Sequence, residues 1–354
     1  MPVASPPPPS LAHIAARVDA RLRNLIDAEY TRWTAFDPDL AAPLAEVGRL
    51  VLSGGKRLRP AFTHWGFVGA GGNPDDPMVV NAGGAFELMH AFALFHDDVM
   101  DDAASRRGAP TTHTVFAQQH QAGGWAGEAR RFGEGVAILV GDLAFVYADQ
   151  LLHGASPHAW SIWNELRIEL NIGQVLDIMG GVQNDRRRDK AERICRYKSG
   201  KYTIERPLHL GAALAAPGRT DLLDQLSAYG LPLGDAFQMR DDVLGAFGEE
   251  AVTGKPVGGD LREGKPTPLL ARAVDAATPA QRAVLDRVGR PDLSDADVAD
   301  VQQVIIDTGA LADLEASITS LTDEAIAAAH SADITTEARD ELVALAHYVS
   351  WRQV

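Results

Sequence analysis

The chain has 354 residues, 46% of them hydrophobic and 23% charged, a balance that excludes disordered, collagen-like and disulfide-scaffold proteins. Its 33 Lys and Arg against 48 Asp and Glu leave a net charge of −15, which opposes non-specific binding to nucleic acid or anionic membrane unless basic residues are gathered locally. The only cysteine is Cys195, so neither an intrachain disulfide nor a four-Cys zinc site can form, which fits a reducing, cytoplasmic setting and a buried or inert thiol.

Taken in order, the opening MPVASPPPPS has neither the basic start nor the apolar stretch of a secretion signal, and residues 1–12 read as a disordered, Pro-rich tail. Residues 11–30 then place apolar side chains at spacings of three and four, which predicts a helix. SGGKRLRP (53–60) reads as a loop running into a helix start, and GAGGNPDDP (69–77) as a break. The most apolar long window, Val79 to Phe95, is interrupted by Asn81, Glu87, His90 and two glycines, so no membrane span is expected. No Gly or Pro interrupts residues 85–107, AFELMHAFALFHDDVMDDAASRR, and one continuous helix is predicted to carry all of them. Further breaks fall at 121–135, at 216–218 and in the Gly- and Pro-rich stretch 245–268. The last segment, from about 275 to 354, reads as amphipathic helices without a motif and is assigned to packing. Strand patterns are nearly absent and no fixed repeat is visible, so the expected fold is all-α, with a single large helical bundle domain over residues 13–354.

The chemistry concentrates in two acidic clusters. On a helix, Asp97 and Asp101 lie at i and i+4 on one face, and Asp98 and Asp102 repeat the spacing one residue on. Four carboxylates at the end of an apolar helix repel one another, and a hard divalent cation relieves that repulsion. Oxygen-only donors favour Mg²⁺, which shares its sphere with water and substrate phosphates. An exposed acidic helix end is the other reading. Asp241 and Asp242 end a second apolar segment, where the i+4 position is Gly245; ordinary surface acids are the alternative there. Basic residues are gathered beside glycines or beside the acids: Lys56, Arg57 and Arg59; Arg106 and Arg107; Lys198; Lys255; Lys265. A ligand bearing several phosphates accounts for both sets together. Neither a Walker sequence, nor a GxGxxG after a strand, nor a GxSxG is present, which disfavours P-loop, dinucleotide-binding and serine-hydrolase chemistry.

In this order, GGKRLRP, HDDVMDDAASRRG, YKS, FQMRDD and GKPVGGDLREGKPT resemble the trans-isoprenyl diphosphate synthases, or polyprenyl synthetases, over about residues 45 to 270. The resemblance implies an all-helical homodimer that condenses isopentenyl diphosphate head-to-tail with an allylic diphosphate (dimethylallyl, geranyl or farnesyl), using three Mg²⁺ ions. It implies that Asp97, Asp101 and Asp241 bind those ions and that Arg106, Lys198, Lys255 and Lys265 contact the allylic diphosphate. Lys56, Arg59, His90 and Arg107 would form the isopentenyl diphosphate pocket, and Gln238 and Ser199 would stand beside the developing carbocation. The sequence departs from the family pattern at Gly245, where DDxxD ends in Asp, and at Ser199, where Thr is commoner. Neither change is expected to disable the enzyme.

Product length follows from the same helix. A bulky side chain one or two turns above Asp97 stops the growing tail, because each turn of about 5.4 Å takes about one isoprene unit. Phe92 lies five residues before Asp97, Ala93 four before, and Met89 a further turn up. In the family this combination resembles synthases that stop at geranylgeranyl diphosphate (C20), with farnesyl diphosphate as the alternative; Phe92 as plain core is the other reading of that ring. Two rivals are weaker. A class I terpene cyclase shares the fold, and NDRRRDKAE (184–192) faintly resembles its second metal motif, but Arg188 stands where Ser or Thr belongs. A non-catalytic partner subunit would be expected to lose the first Asp motif, which is retained here.

Overall fold

The computed structural model describes residues 5–106, 108–183, 187–248 and 257–352, and apart from one small hairpin they form helices and connecting turns. In chain order these are α1 (Pro9–Phe36), a 3₁₀ turn (Pro38–Leu40), α2 (Ala41–Val51), α3 (Leu58–Gly69), α4 (Pro77–Met100), the strands β1 (Ser105–Arg106) and β2 (Ala109–Pro110), α5 (Thr112–Gly123) and α6 (Ala129–Leu151). There follow α7 (Pro157–Gln183), α8 (Arg188–Cys195), a π-helical segment (Arg196–Glu205), α9 (Arg206–Ala215), α10 (Thr220–Phe247) and α11 (Gly259–Glu263). The last are α12 (Pro268–Ala276), α13 (Pro279–Leu285), α14 (Asp295–Asp307), α15 (Ala310–Ser331) and α16 (Thr336–Ser350). Residues 9–12, read above as tail, are helical. Pro9 opens α1 without penalty, since a first-turn residue has no helical acceptor for its N–H, and Leu11 and Ile14 are buried.

Contacts divide the chain into two compact units, Pro9–His64 with Asn73–Ala155, and Met1–Pro8 with Trp65–Gly72 and Ser156–Val354. In the first, α4 is the core helix, packed against α1, α2 and α6. Asp76 caps it, accepting from the Met78 N–H at 2.8 Å, with Pro77 at its start. Gly84 sits inside it because α6 presses close: a Cβ there would lie 2.9 Å from Leu151 Cδ1. Contrary to the expectation above, α4 is long and apolar enough to cross a membrane. In this structure 61% of its apolar window is buried inside the protein, the pattern of a core helix.

The predicted single helix over 85–107 ends at Met100 instead. The N–H of Ala103 returns to the Asp98 carbonyl at 3.0 Å and that of Asp102 to Val99 at 3.4 Å, a Schellman closure with Asp102 at φ 51° in the position usually held by glycine. Aspartate tolerates that conformation better than most side chains, so a helix can stop here with no Gly or Pro to announce it.

In the second unit α10 is central, lying against α15 and the π-helical segment. Glycines set that second contact: a Cβ on Gly234 would fall 2.9 Å from the backbone carbon and oxygen of Gly200. Burial pushes the Cys195 thiol well above its usual range, which keeps it protonated.

Candidate active site

Each unit carries its own set of the residues singled out from sequence. In the first, His90, Ala93 and Asp97 follow one another at helical spacing along one face of α4, and Asp101 caps the helix, its N–H donating to the Asp97 carbonyl at 2.8 Å. The turn and the β1–β2 hairpin then fold Arg106 back onto the acids. Its Nε and Nη2 each lie 2.7 Å from Asp98 Oδ1, and Nη2 lies 3.6 Å from Asp97 Oδ2. Asp98 is buried, and burial lifts its pKa against the opposing pull of Arg106; burial is also the largest single influence on the Arg106 guanidinium, but the hydrogen bond to Asp98 and the charges of Asp98, Asp97 and Asp101 together outweigh it and keep the cation charged. The spacing grouped Asp98 with the other three acids as a candidate for the cation. In the structure it anchors Arg106, while Asp97 is half-buried and Asp101 exposed.

The basic loop resolves into residues with different duties. Gly54 (φ 89°) and Gly55 (φ 144°) turn the chain as only glycine does readily. Arg57, which the spacing placed with Lys56 and Arg59, is buried and structural. Its guanidinium meets Glu87 of α4 in a very short contact, bonds Asp19 of α1 at 2.9 Å through Nε, and donates to the Val51 carbonyl at 2.7 Å. Those bonds hold Arg57 at φ 50°, and with it the half-buried Lys56 and Arg59 on either side. Phe92 packs on His96, at 4.6 Å between ring centroids, and on Phe145 of α6, at 4.8 Å. Met89 is fully buried. Arg107 lies outside the described residues.

In the second unit Lys198 and Ser199 lie in the π-helical segment, a conformation that often marks functional sites. Two features hold it there. Gly173 on α7 admits the backbone, since a Cβ would come 2.6 Å from the Lys198 nitrogen. Glu169, also on α7, is clasped from both sides, by Lys201 and by Arg206 at 2.7 Å. Burial alone would raise the Glu169 pKa, but the hydrogen bonds and charges of Arg206 and Lys201 together outweigh it and keep the carboxylate ionised. Lys198 Nζ bonds Asp177 at 2.5 Å. On α10, Gln238 Nε2 donates to Asp242 Oδ1 at 3.2 Å, whereas the buried Oδ2 of Asp242 has no hydrogen-bond partner among the described residues. Asp241 accepts from Arg352, a buried residue near the C terminus whose guanidinium also covers the Phe237 ring at 4.1 Å. Beside it Arg240 binds both oxygens of Glu315 on α15, at 2.8 and 2.7 Å, and the Ser350 carbonyl at 2.7 Å. The C-terminal helices, expected only to pack, therefore grip the second acidic motif directly. Lys265 lies 2.6 Å from Glu263 and 3.6 Å from Asp260. Lys255, and Asn184 at the head of the cyclase-like stretch, lie outside the described residues.

Every candidate ligand in both sets is a carboxylate oxygen, and one of these, on Asp242, has its hydrogen-bonding capacity unmet. Among the described residues no three His, Cys, Asp or Glu side chains gather closely enough to hold a metal ion alone. That donor set fits a hard cation such as Mg²⁺, which keeps several waters and takes other oxygens from a bound phosphate, and does not fit zinc.

Residues 42–306 match the family model described as polyprenyl synthetase. The fold is similar to that of a geranylgeranyl pyrophosphate synthase from Corynebacterium glutamicum solved with isoprenyl diphosphate and magnesium, with a TM-score of 0.89, 37% identity, and coverage of 96% of this chain and 99% of that one. The sequence is 33% identical over 271 residues to the geranylfarnesyl diphosphate synthase of Aeropyrum pernix, covering 74% of this chain and 79% of that protein. It is 30% identical over 354 residues to the (2E,6E)-farnesyl diphosphate synthase of Mycobacterium bovis, covering 98% of this chain and 90% of that protein.

Proposed function

We propose that this chain, which belongs to the polyprenyl synthetase family and is a prenyltransferase, condenses isopentenyl diphosphate head-to-tail with an allylic diphosphate and stops at geranylgeranyl diphosphate. The observation that carries the chemistry is the return of Arg106 onto Asp98, which leaves Asp97 and Asp101 beside a fixed cation at the end of an apolar helix. Diphosphate leaves an allylic carbon only when its charge is countered. Asp97 and Asp101 in one unit and Asp241 in the other would hold Mg²⁺, which would supply that neutralisation when bound. Arg106, Lys198 and Lys265 are the cations proposed for the allylic diphosphate, and Lys56, Arg59 and His90 those proposed for the isopentenyl partner. As the allylic C–O bond breaks, the Gln238 amide and the Ser199 hydroxyl turn dipoles toward the carbocation, and the isopentenyl double bond, positioned nearby, attacks it. The proton lost from the new C5 unit passes to the departing diphosphate.

The product length rests on Phe92. Its ring is wedged between His96 and Phe145 about a turn and a half above Asp97, and in this reading it stops the growing tail there. Relatives in the family are named for products of different length, and in this reading the choice of C20 over C15 rests on this position. Chromatography of products made from the dimethylallyl, geranyl and farnesyl starters tests the choice: a C20 end product from all three supports it, and termination at C15 or extension to C25 overturns it.

We propose a homodimer as well. Ile168, Ile172, Val175, Met179 and Val182 are exposed along α7 at alternating steps of four and three, the spacing of a helix seam. Light scattering that returned a monomer at working concentration would remove this part of the proposal.

A further inference from the structure

The ring proposed to stop the tail, Phe92, is held where two helices meet. Along that contact Gly84 of α4 faces Leu151 of α6, and Phe92 faces Phe145, so each step forward on α4 is matched by a step back on α6. One turn past Phe92 the matching pair is His96 and Gly141. Gly141 is not at a positive φ, so its backbone makes no demand for glycine. The demand comes from His96: a Cβ on Gly141 would lie 2.5 Å from both Cδ2 and Nε2 of the imidazole, and 3.3 Å from Phe95 Cβ. The imidazole thus fills the place where a side chain at 141 would begin. It is also tied to α6, since Nε2 lies 3.0 Å from the Ile138 carbonyl. A carbonyl can only accept, so in this contact Nε2 carries the proton and donates it. Asp142 Oδ1 stands 3.5 Å from the same nitrogen. Phe92 rests on this fixed imidazole, at 4.6 Å between ring centroids, with Phe145 as its other neighbour.

We infer that His96 and Gly141 are specificity-determining residues for product length: Gly141 makes room for the imidazole against α6, and the imidazole, bonded to the Ile138 carbonyl, keeps the Phe92 ring across the path of the tail. The inference rests on the reading of Phe92 as the stop and adds the device that holds it there. A phenylalanine ring left to itself can swing between staggered rotamers. Here that swing is opposed on one side by an imidazole anchored to the neighbouring helix and on the other by Phe145. The atoms that crowd Gly141 most are the far end of a side chain, so a methyl group added there displaces the imidazole and leaves the two helices packed.

The test is the length of the product that the full chain and its variants make from farnesyl and isopentenyl diphosphates, read as the ratio of products longer than C20 to C20 itself. Lost stability lowers all products together and leaves that ratio unmoved. His96→Ala is expected to raise it about tenfold or more, on the scale at which a pocket discriminates by shape. Gly141→Ala, which expels the imidazole from its seat, is expected to move the ratio the same way by a smaller factor. Adding His96→Ala to Phe92→Ala is expected to lengthen the product no further, because residues that act through one another are not additive. Melting curves establish that each variant is folded, and if His96→Ala does not fold, Gly141→Ala decides the matter. If Phe92→Ala lengthens the product while folded His96→Ala or Gly141→Ala keeps the wild-type ratio, the inference is overturned and the reading of Phe92 stands. Further lengthening in the double variant overturns it too, since His96 would then bound the tail without Phe92. A Phe92→Ala chain that still stops at C20 overturns the reading itself, and the inference with it.

Discussion

Three basic residues in SGGKRLRP have equal claim on a phosphate when only their order is known, yet burial separates them. Arg57 is 5% exposed and meets Glu87, itself 6% exposed, so their pairing is a matter of stability, while Lys56 and Arg59 remain half-buried on either side. Removing one member of a buried pair strands the other charge. We expect Glu87→Leu to lower the unfolding free energy by about 3 kcal/mol, seen as a fall in the urea midpoint at unchanged slope; a change well under 1 kcal/mol would mean that Asp19 alone suffices for Arg57. Phe92 acts at the same scale on product. Phe92→Ala removes the ring that Phe145 and His96 hold in place, and we expect its products to shift beyond C20 by one or more C5 units; an unchanged distribution would make Phe92 ordinary core. Asp97, Arg106, Lys198 and Gln238 could be singled out because each lies in a short sequence motif. Asp98, Asp177 and Arg352 were not. Asp98 looks like its acidic neighbours until Arg106 folds back onto it, and the partners of Lys198 and Asp241 lie 21 and 111 residues away in sequence.

Among the elements, the decisive features are glycines and a helix end. Helical periodicity reveals α1, α4 and α10 readily, but not that α4 stops at Met100, because the closing residue, Asp102, is one that sequence reads as a metal candidate. Nor does periodicity disclose the π-helical segment, whose position depends on contacts of Gly173 and Gly234 with a distant backbone. The contact between Gly200 and Gly234 is backbone on backbone, so neither side can yield by a rotamer change. We expect Gly234→Ala to destabilise the chain by about 1 to 3 kcal/mol and to lower kcat more than tenfold by shifting Lys198 and Ser199. Gly181→Ala, exposed on α7 with nothing within 4 Å of the added carbon, is the control and should be neutral or slightly stabilising. Equal behaviour of the two variants in thermal melts and steady-state kinetics would show that the close approach does not matter.

At the scale of the whole molecule, buried histidines set the acid limit. His209 is held neutral by burial and by the nearby Arg206, its pKa lowered from 6.5 to about 3, and His64 is lowered to about 4, chiefly by burial. Between about pH 6.5 and those values the unfolded chain binds protons that the folded chain refuses, so stability falls as pH falls, by up to about 1.4 kcal/mol per pH unit for each histidine. We expect His209→Gln, which retains a donor for the Leu223 carbonyl, to flatten the loss of stability below pH 6.5 in denaturant titrations; an identical pH slope would show that His209 protonates in the folded chain. The all-helical architecture and the family were open to reading from five motifs in order, whereas the division into two compact units depends on contacts that no motif encodes. What matters most for the proposed function is that the charge of the departing diphosphate is countered by Mg²⁺. Incorporation of radiolabelled isopentenyl diphosphate with farnesyl diphosphate as starter measures this directly. We expect Mg²⁺-dependent formation of a C20 product that is abolished by chelation and reduced about 100-fold or more by Asp97→Asn; undiminished incorporation without the metal, or by that variant, would contradict it.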